Sequence, residues 1–308
     1  MSEERYDAWL EWFLTSRCNL GCAYCSNNQP NILDSTYGCT RSTHLNDEMD
    51  IDALMRTLDR TKRTFAIGIT GGGEPFLSKH IIELCREITK KHYIKLNTNL
   101  TSPKIKKFAE IINPDRVLYI LASLHIKELE KRNLLETYID TFLFCRDKGF
   151  NIIAQQVAYP PLLDEIEKYK NLFENRGITI SFTPFGGLYN DKTYPDAYTT
   201  DEIKLFGFSD DVRNKYHQKG GICNAGYNTG IVDIAGDVHP CFNRTNETIG
   251  NIYKEINFKN DLSVCPCELC CWPTNKYQPE LFEKALKEKT QPRKRHRPWP
   301  LSCLPALW

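Results

Sequence analysis

The chain is predicted to be α/β, a partial (β/α)6 TIM-like barrel followed by a small cysteine-rich domain. Between residues 8 and 184, six short apolar runs alternate with helical patterns. Each strand is a short apolar run, which argues for parallel β/α units. Near residue 185 the alternation stops, and residues 221 to 275 become turn-rich and crowded with cysteine. Six right-handed β/α units curve into an open barrel, short of the eight that close one.

The elements follow in order. AWLEWFLT (8 to 15) reads as the first strand and runs straight into TSRCNLGCAYCSN. DIDALMRTLDRTKRT (50 to 64) carries apolar residues at helical spacing behind an Asp-rich first turn. FAIGIT (65 to 70) is the second strand, ended by Gly71, Gly72 and Gly73. Then come a helix at 78 to 90, a strand at 93 to 99, a helix at 102 to 112 and a strand at 116 to 123. A helix at 127 to 148, a strand at 151 to 159, a helix at 161 to 176 and a strand at 178 to 184 complete the barrel. The expected division is barrel 1–185, loop-rich linker 186–220, cysteine-rich domain 221–275, and a helix at 278 to 289 with a disordered tail in 276–308.

Composition excludes several classes. Of 308 residues, 41% are hydrophobic and 26% charged, with a net charge of +1, so no global field draws the chain to nucleic acid or an anionic membrane. The longest apolar run, VLYILASL at 117 to 124, is far below the roughly 20 residues that cross a bilayer. The acidic opening MSEERYDAW has no apolar signal segment, which predicts a cytoplasmic protein without a membrane partner. The basic, Pro- and Trp-rich end QPRKRHRPWPLSCLPALW is given no function, and no nucleic-acid partner is expected.

Thirteen cysteines do not suit disulfides in a reducing compartment. Cys85 and Cys145 read as small apolar residues on helix faces. Two clusters remain. Cys18, Cys22 and Cys25 have the spacing C-x3-C-x2-C, and thiolates at that spacing can hold zinc or an iron-sulfur cluster. A structural zinc wants four protein ligands, and the nearest histidine, His44, lies beyond Pro30 and Gly38. A cubane held by three thiolates leaves one iron open.

This triplet, with the aromatic Tyr24 before its third cysteine, resembles the signature of the radical S-adenosylmethionine enzymes. TGGGEPFL after the second strand is similar to that family's GGE motif. The resemblance implies a partial barrel in which Cys18, Cys22 and Cys25 hold a 4Fe-4S cluster. The open iron binds S-adenosylmethionine, and Glu74 accepts the ammonium of its methionine part beside Gly72, Gly73 and Pro75. Gly72 and Gly73 permit close backbone approach. Tyr24, Ser123 at the end of strand four and Gln155 on strand five are further cofactor candidates. Asn97, Asn99 and Gln156 are strand residues of either role, and His125 replaces an acidic residue that many relatives carry after Ser-Leu.

The second cluster resembles the twitch form of the SPASM auxiliary-cluster module. Cys223 and Cys241 frame CNAGYNTGIVDIAGDVHPC, with Gly236 and Asp237 at a hairpin turn, and CPCELC supplies Cys267 and Cys270. The resemblance implies a second 4Fe-4S cluster on Cys223, Cys241, Cys267 and Cys270, with Cys265 or Cys271 as possible replacements and a zinc ribbon as the alternative. His239 is not counted among the ligands.

The function implied is a radical oxidoreductase. It would generate a 5'-deoxyadenosyl radical, take hydrogen from a small polar substrate such as a sugar, aminocyclitol or nucleotide-sugar, and pass an electron to the auxiliary cluster. A reductant such as flavodoxin or ferredoxin would be its partner. Only 17 residues precede Cys18, which speaks against a leader-binding peptide maturase, and a redox-neutral epimerase remains the other alternative. Arg176, Tyr189, Asp191 and Tyr194 are read as surface residues, with facing the substrate as the alternative. No catalytic base is assigned.

Overall fold

A computed structural model of the chain describes residues 6–25, 49–209, 212 and 219–267. The barrel strands are β1 (Ala8–Phe13), β2 (Phe65–Thr70), β3 (Tyr93–Thr98), β4 (Val117–Ser123), β5 (Ile152–Ala158) and β6 (Ile180–Pro184). Between them lie α1 (Ile51–Arg60), α2 (Ile81–Thr89), α3 (Lys104–Ile111), α4 (Ile126–Lys131), α5 (Leu135–Asp147) and α6 (Ile166–Glu174). There follow β7 (Gly187–Tyr189), β8 (Lys192–Tyr194), α7 (Thr200–Phe206), β9 (Ile222–Cys223), β10 (Thr229–Val232), β11 (Asp237–His239), β12 (Gly250–Asn251), β13 (Glu255–Ile256) and β14 (Ser263–Val264).

β1 to β6 pair in chain order and every pair is parallel, so the predicted α/β barrel sheet is the observed one. All six strands end on one side, where a barrel of this kind places its chemistry. Leu10, Trp12, Ile67, Ile69, Ile94 and Leu96 are buried in one core with helix residues such as Leu54, Leu58, Leu84 and Phe108. The alternate residues of the strands, Trp9, Glu11, Gly68, Lys95 and their neighbours, face the lumen. Among the described residues no helix is long and apolar enough to cross a membrane.

The structure departs from the expected elements in three places. The single helix expected at 127 to 148 is two, α4 and α5. Asn133, at φ 56°, interrupts it, and the Leu134 N–H turns back to the Leu129 carbonyl. The segment expected to be a loop-rich linker contains the antiparallel β7–β8 hairpin and α7, whose Thr199 and Glu202 form a reciprocal capping box. Most consequential, β10 to β13 continue the barrel sheet. β10 lies parallel on the free edge of β1, with Trp9 opposite Thr229 and Trp12 opposite Val232. β11, β12 and β13 follow antiparallel, giving ten strands in one sheet. The hairpin expected around Gly236 is β10–β11, and Gly236 takes φ +87°, where a Cβ would crowd the Tyr253 ring. Cys39, Cys270, Cys271 and Cys303, the helix expected at 278 to 289 and the basic tail lie outside the described residues.

Candidate functional site

The cysteine loop and the Gly-rich turn are the continuations of adjacent parallel strands. β1 and β2 pair in register up to Phe13 and Thr70, and the two loops that leave them are laced together. The Leu14 N–H donates to the Thr70 carbonyl at 3.0 Å, the Gly73 N–H to Thr15 at 2.9 Å and the Glu74 N–H to Arg17 at 2.8 Å. A Cβ on Gly73 would collide with the Arg17 carbonyl. Glycine is therefore required at 73 by the approach of the cysteine loop.

Glu74 braces this corner. Its side chain is buried, and its Oε2 accepts the Asn99 N–H at 2.7 Å. Its Oε1 accepts the Thr98 hydroxyl at 2.8 Å and the Phe76 N–H at 3.0 Å. Burial raises its carboxyl to about 7, against the pull of those three donors. Pro75 opens the short turn that Glu74 caps. The carboxylate thereby ties β2 to β3.

Other strand ends grip the cysteine loop. Asn19 is held by the Asn99 amide at 2.9 Å and itself donates to the Thr101 hydroxyl at 2.8 Å. The Gly21 N–H donates to Glu128 Oε2 at 3.2 Å. The Tyr24 hydroxyl lies 2.8 Å from His125 Nδ1 and 3.4 Å from the Gln156 amide nitrogen. His125 sits at φ 34° before α4, and burial lowers its pKa to about 4. The Tyr24 ring also packs on Tyr159 at 5.2 Å between centroids. Asn19 and Glu128 escaped the sequence reading because nothing local marks bonds between residues 82 and 107 positions apart.

Of the softer candidates, Ser123 and Gln155 are register partners and share the lumen face with Asn97, Ser181 and Thr183. Gln156 points the other way, and its Oε1 accepts the Ile126 N–H at 3.1 Å. Asn97 Oδ1 and Thr183 Oγ1 are buried without a protein hydrogen-bond partner among the described residues. Arg176 is engaged with Glu136 at the surface, and Tyr194 is buried against Phe185 and Tyr198. Neither faces the lumen. Tyr189 packs edge-on against Tyr159, and Asp191 holds the β7–β8 turn at φ 57°.

Burial and mutual charge raise the Cys18 and Cys22 thiols. Burial, then the charges of Cys25 and Cys18, push the Cys22 thiol far above its ordinary value. Cys18 is raised chiefly by burial, and the Leu20 N–H, 3.4 Å from its sulfur, acts in the opposite sense. Three crowded thiols resist ionising together unless a cation lies among them. Among the described residues no three His, Cys, Asp or Glu converge as ligands of one ion, whereas thiolates bind an iron-sulfur cube at separate corners.

A second thiol group forms where β9 pairs with β14. Cys223 and Cys265 are buried together with Ala225, and Cys241 and Cys267 pack against them. Burial raises the Cys241 thiol to about 12, with Cys267 and Cys223 adding to it and Arg244 opposing. His239 has both ring nitrogens engaged, Nδ1 at 2.8 Å from the Glu247 carbonyl and Nε2 at 3.2 Å from Asp233. Neither nitrogen is free for a metal. Cys85 and Cys145 are buried core residues, as expected.

A parallel barrel with a cysteine triplet and a Gly-rich turn clasped at its C-terminal end defines a class of enzyme. The family model of the Radical SAM superfamily matches residues 12–173, more than half of the chain, and the protein belongs to that superfamily. Its members use S-adenosylmethionine and a 4Fe-4S cluster. Solved structures of similar fold include native anSMEcpe with bound AdoMet, at 17% identity and TM-score 0.55, covering 80% of this chain and 78% of that one. Native anSMEcpe with bound AdoMet and Kp18Cys peptide matches at 18% identity and TM-score 0.53, covering 80% and 77%. BtrN in complex with AdoMet and 2-DOIA matches at 16% identity, covering 81% and 79%, with TM-score 0.40. At these identities the likeness to the two anSMEcpe structures is one of fold. No curated protein matches the chain.

Proposed function

We propose that the protein is a radical SAM oxidoreductase that dehydrogenates a small polar substrate and carries a twitch-type auxiliary cluster over residues 221–275, beyond a barrel of 1–185 and a linker of 186–220. The observation that carries the reading is the clasp between the two loops, in which Gly73 and Glu74 bond the backbone of Thr15 and Arg17. It sets the glycine-rich turn against the start of the cysteine loop, which supports the reading. Cys18, Cys22 and Cys25 would hold the first cluster. Tyr24, the Gly72–Pro75 turn, Ser123 and Gln155 would hold S-adenosylmethionine. Glu74 would brace that turn and, with acceptor capacity beyond its three donors, meet the ammonium. With both clusters and S-adenosylmethionine bound, the chemistry supplied is a 5'-deoxyadenosyl radical that removes a hydrogen atom from the substrate and an acceptor for the remaining electron. That is a net two-electron oxidation once the substrate also loses a proton.

The lumen supports a polar substrate. Asn97 Oδ1 and Thr183 Oγ1 are buried polar atoms without a protein partner among the described residues, and such atoms are rare unless water or a ligand satisfies them. Glu11 and Lys95 neutralise each other, so the described lumen offers hydrogen bonds more than net charge. The auxiliary ligands would come from Cys223, Cys241, Cys265, Cys267 and Cys270. Cys265 enters the set because it is buried against Cys223.

Anaerobic reconstitution tests this. Two clusters require about eight iron atoms per chain, and reduction should release 5'-deoxyadenosine. Cys18→Ala should lose about half the iron and all cofactor cleavage. Cys223→Ala should lose a similar share and keep cleavage while losing substrate oxidation. Sugars, aminocyclitols, nucleotide-sugars and a cysteine-containing peptide would be screened by 5'-deoxyadenosine release. A product two mass units lighter supports dehydrogenation, an unchanged mass shows an epimerase, and turnover of the peptide alone shows a maturase. Colourless protein containing zinc refutes the scheme.

A further inference from the structure

We infer that Glu128 is a positioning residue for the first cluster, holding the cysteine loop by its backbone and placing a fixed negative charge beside Cys22. The inference rests on the assignment of Cys18, Cys22 and Cys25 as cluster ligands.

Glu128 lies on α4, far from the loop in sequence. Its Oε2 accepts the N–H of Gly21, the residue before Cys22, at 3.2 Å. The same oxygen accepts the Arg132 Nε–H at 3.2 Å, and Lys131 Nζ lies 3.6 Å from Oε1. The carboxylate side chain is 12% exposed, whereas those of Lys131 and Arg132 are 73% and 44% exposed. Neutralising the carboxylate would leave these two cations uncompensated beside the loop. Gly21, which the carboxylate holds, is the residue directly before Cys22, so that change of charge falls next to the first cluster.

The attachment is part of a larger grip. His125, at the start of the same segment, meets the Tyr24 hydroxyl, so α4 touches the loop on both sides of Cys22. The segment is itself anchored through the Ile126 N–H to Gln156. A loop that must hold three sulfurs at fixed corners gains from such external bonds, since a ligand loop free to move costs affinity. A nearby negative charge favours the oxidised, more positive cluster and shifts its reduction potential downward.

Two substitutions separate the effects. Glu128→Gln keeps an oxygen for the Gly21 N–H and removes the charge, whereas Glu128→Ala removes both. The reconstituted full chain would be followed by EPR-monitored redox titration, iron content and amide exchange of peptides covering 16–25. Glu128→Gln is expected to raise the midpoint potential of the first cluster at parental iron content and exchange. Glu128→Ala is expected to raise the potential, speed exchange over the loop about tenfold, equivalent to about 1.4 kcal/mol of lost protection, and lose iron on desalting. An unchanged potential in Glu128→Gln, or unchanged loop exchange in Glu128→Ala, overturns the inference. Cys18→Ala measured alongside separates it from the ligand assignment, because undiminished iron there would refute that assignment itself.

Discussion

Replacing Lys95 by Met tests how the barrel is sealed beneath its site. Lys95 Nζ lies 2.7 Å from Glu11 Oε1, neither side chain has any exposed surface, and Trp9 Nε1–H donates to Glu11 Oε2 at 3.0 Å. The pair spans two strands. Glu11 on β1 and Lys95 on β3 are each in register with Gly68 on the intervening β2, and they meet over it because Gly68 has no side chain. A Cβ there would collide with the Glu11 carboxylate. Burial lowers the Lys95 pKa against the pull of Glu11, so desolvation offsets much of the attraction.

Removing one partner strands a buried charge, which costs about 3–5 kcal/mol. At roughly 2–4 °C per kcal/mol for a domain of this size, Lys95→Met should lower the thermal midpoint by about 6–20 °C. The double variant Glu11→Gln/Lys95→Met keeps an acceptor for Trp9 and buries no charge, so it should recover most of the loss. The assay is thermal unfolding of the reconstituted protein without oxygen. A Lys95→Met midpoint within about 2 °C of the parent, well inside the cost of a stranded charge, refutes the reasoning. So does a double variant no better than the single one.

Three further outcomes are expected. Gly73→Ala drives a methyl into the Arg17 carbonyl and should weaken S-adenosylmethionine binding by about tenfold or more, roughly 1.4 kcal/mol, measured by equilibrium dialysis at matched iron content. Burial raises the Glu74 carboxyl from 4.5 to about 7. The folded state therefore binds that proton more tightly than the unfolded chain, and stability should fall as pH climbs between those values, by about 3 kcal/mol in all, then level off. Glu74→Gln should lack that slope in thermal midpoints taken across the range, and identical slopes would show that the group titrates normally. Cys265→Ser should reduce iron retention at the second thiol group, whereas Cys85→Ser and Cys145→Ser, deep in the helix-facing core, should leave iron content unchanged.

The barrel was legible because its signals are local. Runs such as FAIGIT and VLYILAS are apolar almost throughout, helical periodicity separates them, and Gly71–Gly73 mark a strand end. The cysteine triplet and the GGE-like turn were legible for the same reason, since each is contiguous. The break between α4 and α5 was not, because a single Asn in left-handed conformation leaves the hydrophobic pattern of 127 to 148 almost intact. Nor was the fate of β10, since nothing in TGIV says which edge it joins.

Sequence alone determined the class of chemistry, through three thiols and a glycine turn at the ends of neighbouring strands, and the alternation that makes those strands parallel. The tertiary structure decided what each group does when the chain closes. Glu74 holds Thr98, Asn99 and Phe76, Glu128 reaches the cysteine loop from α4, Cys265 lies against Cys223, and β10 extends the barrel along β1. The reason is physical. Motif residues are set by spacing along the chain, whereas hydrogen-bond partners and sheet edges are set by distances in space that local patterns do not encode.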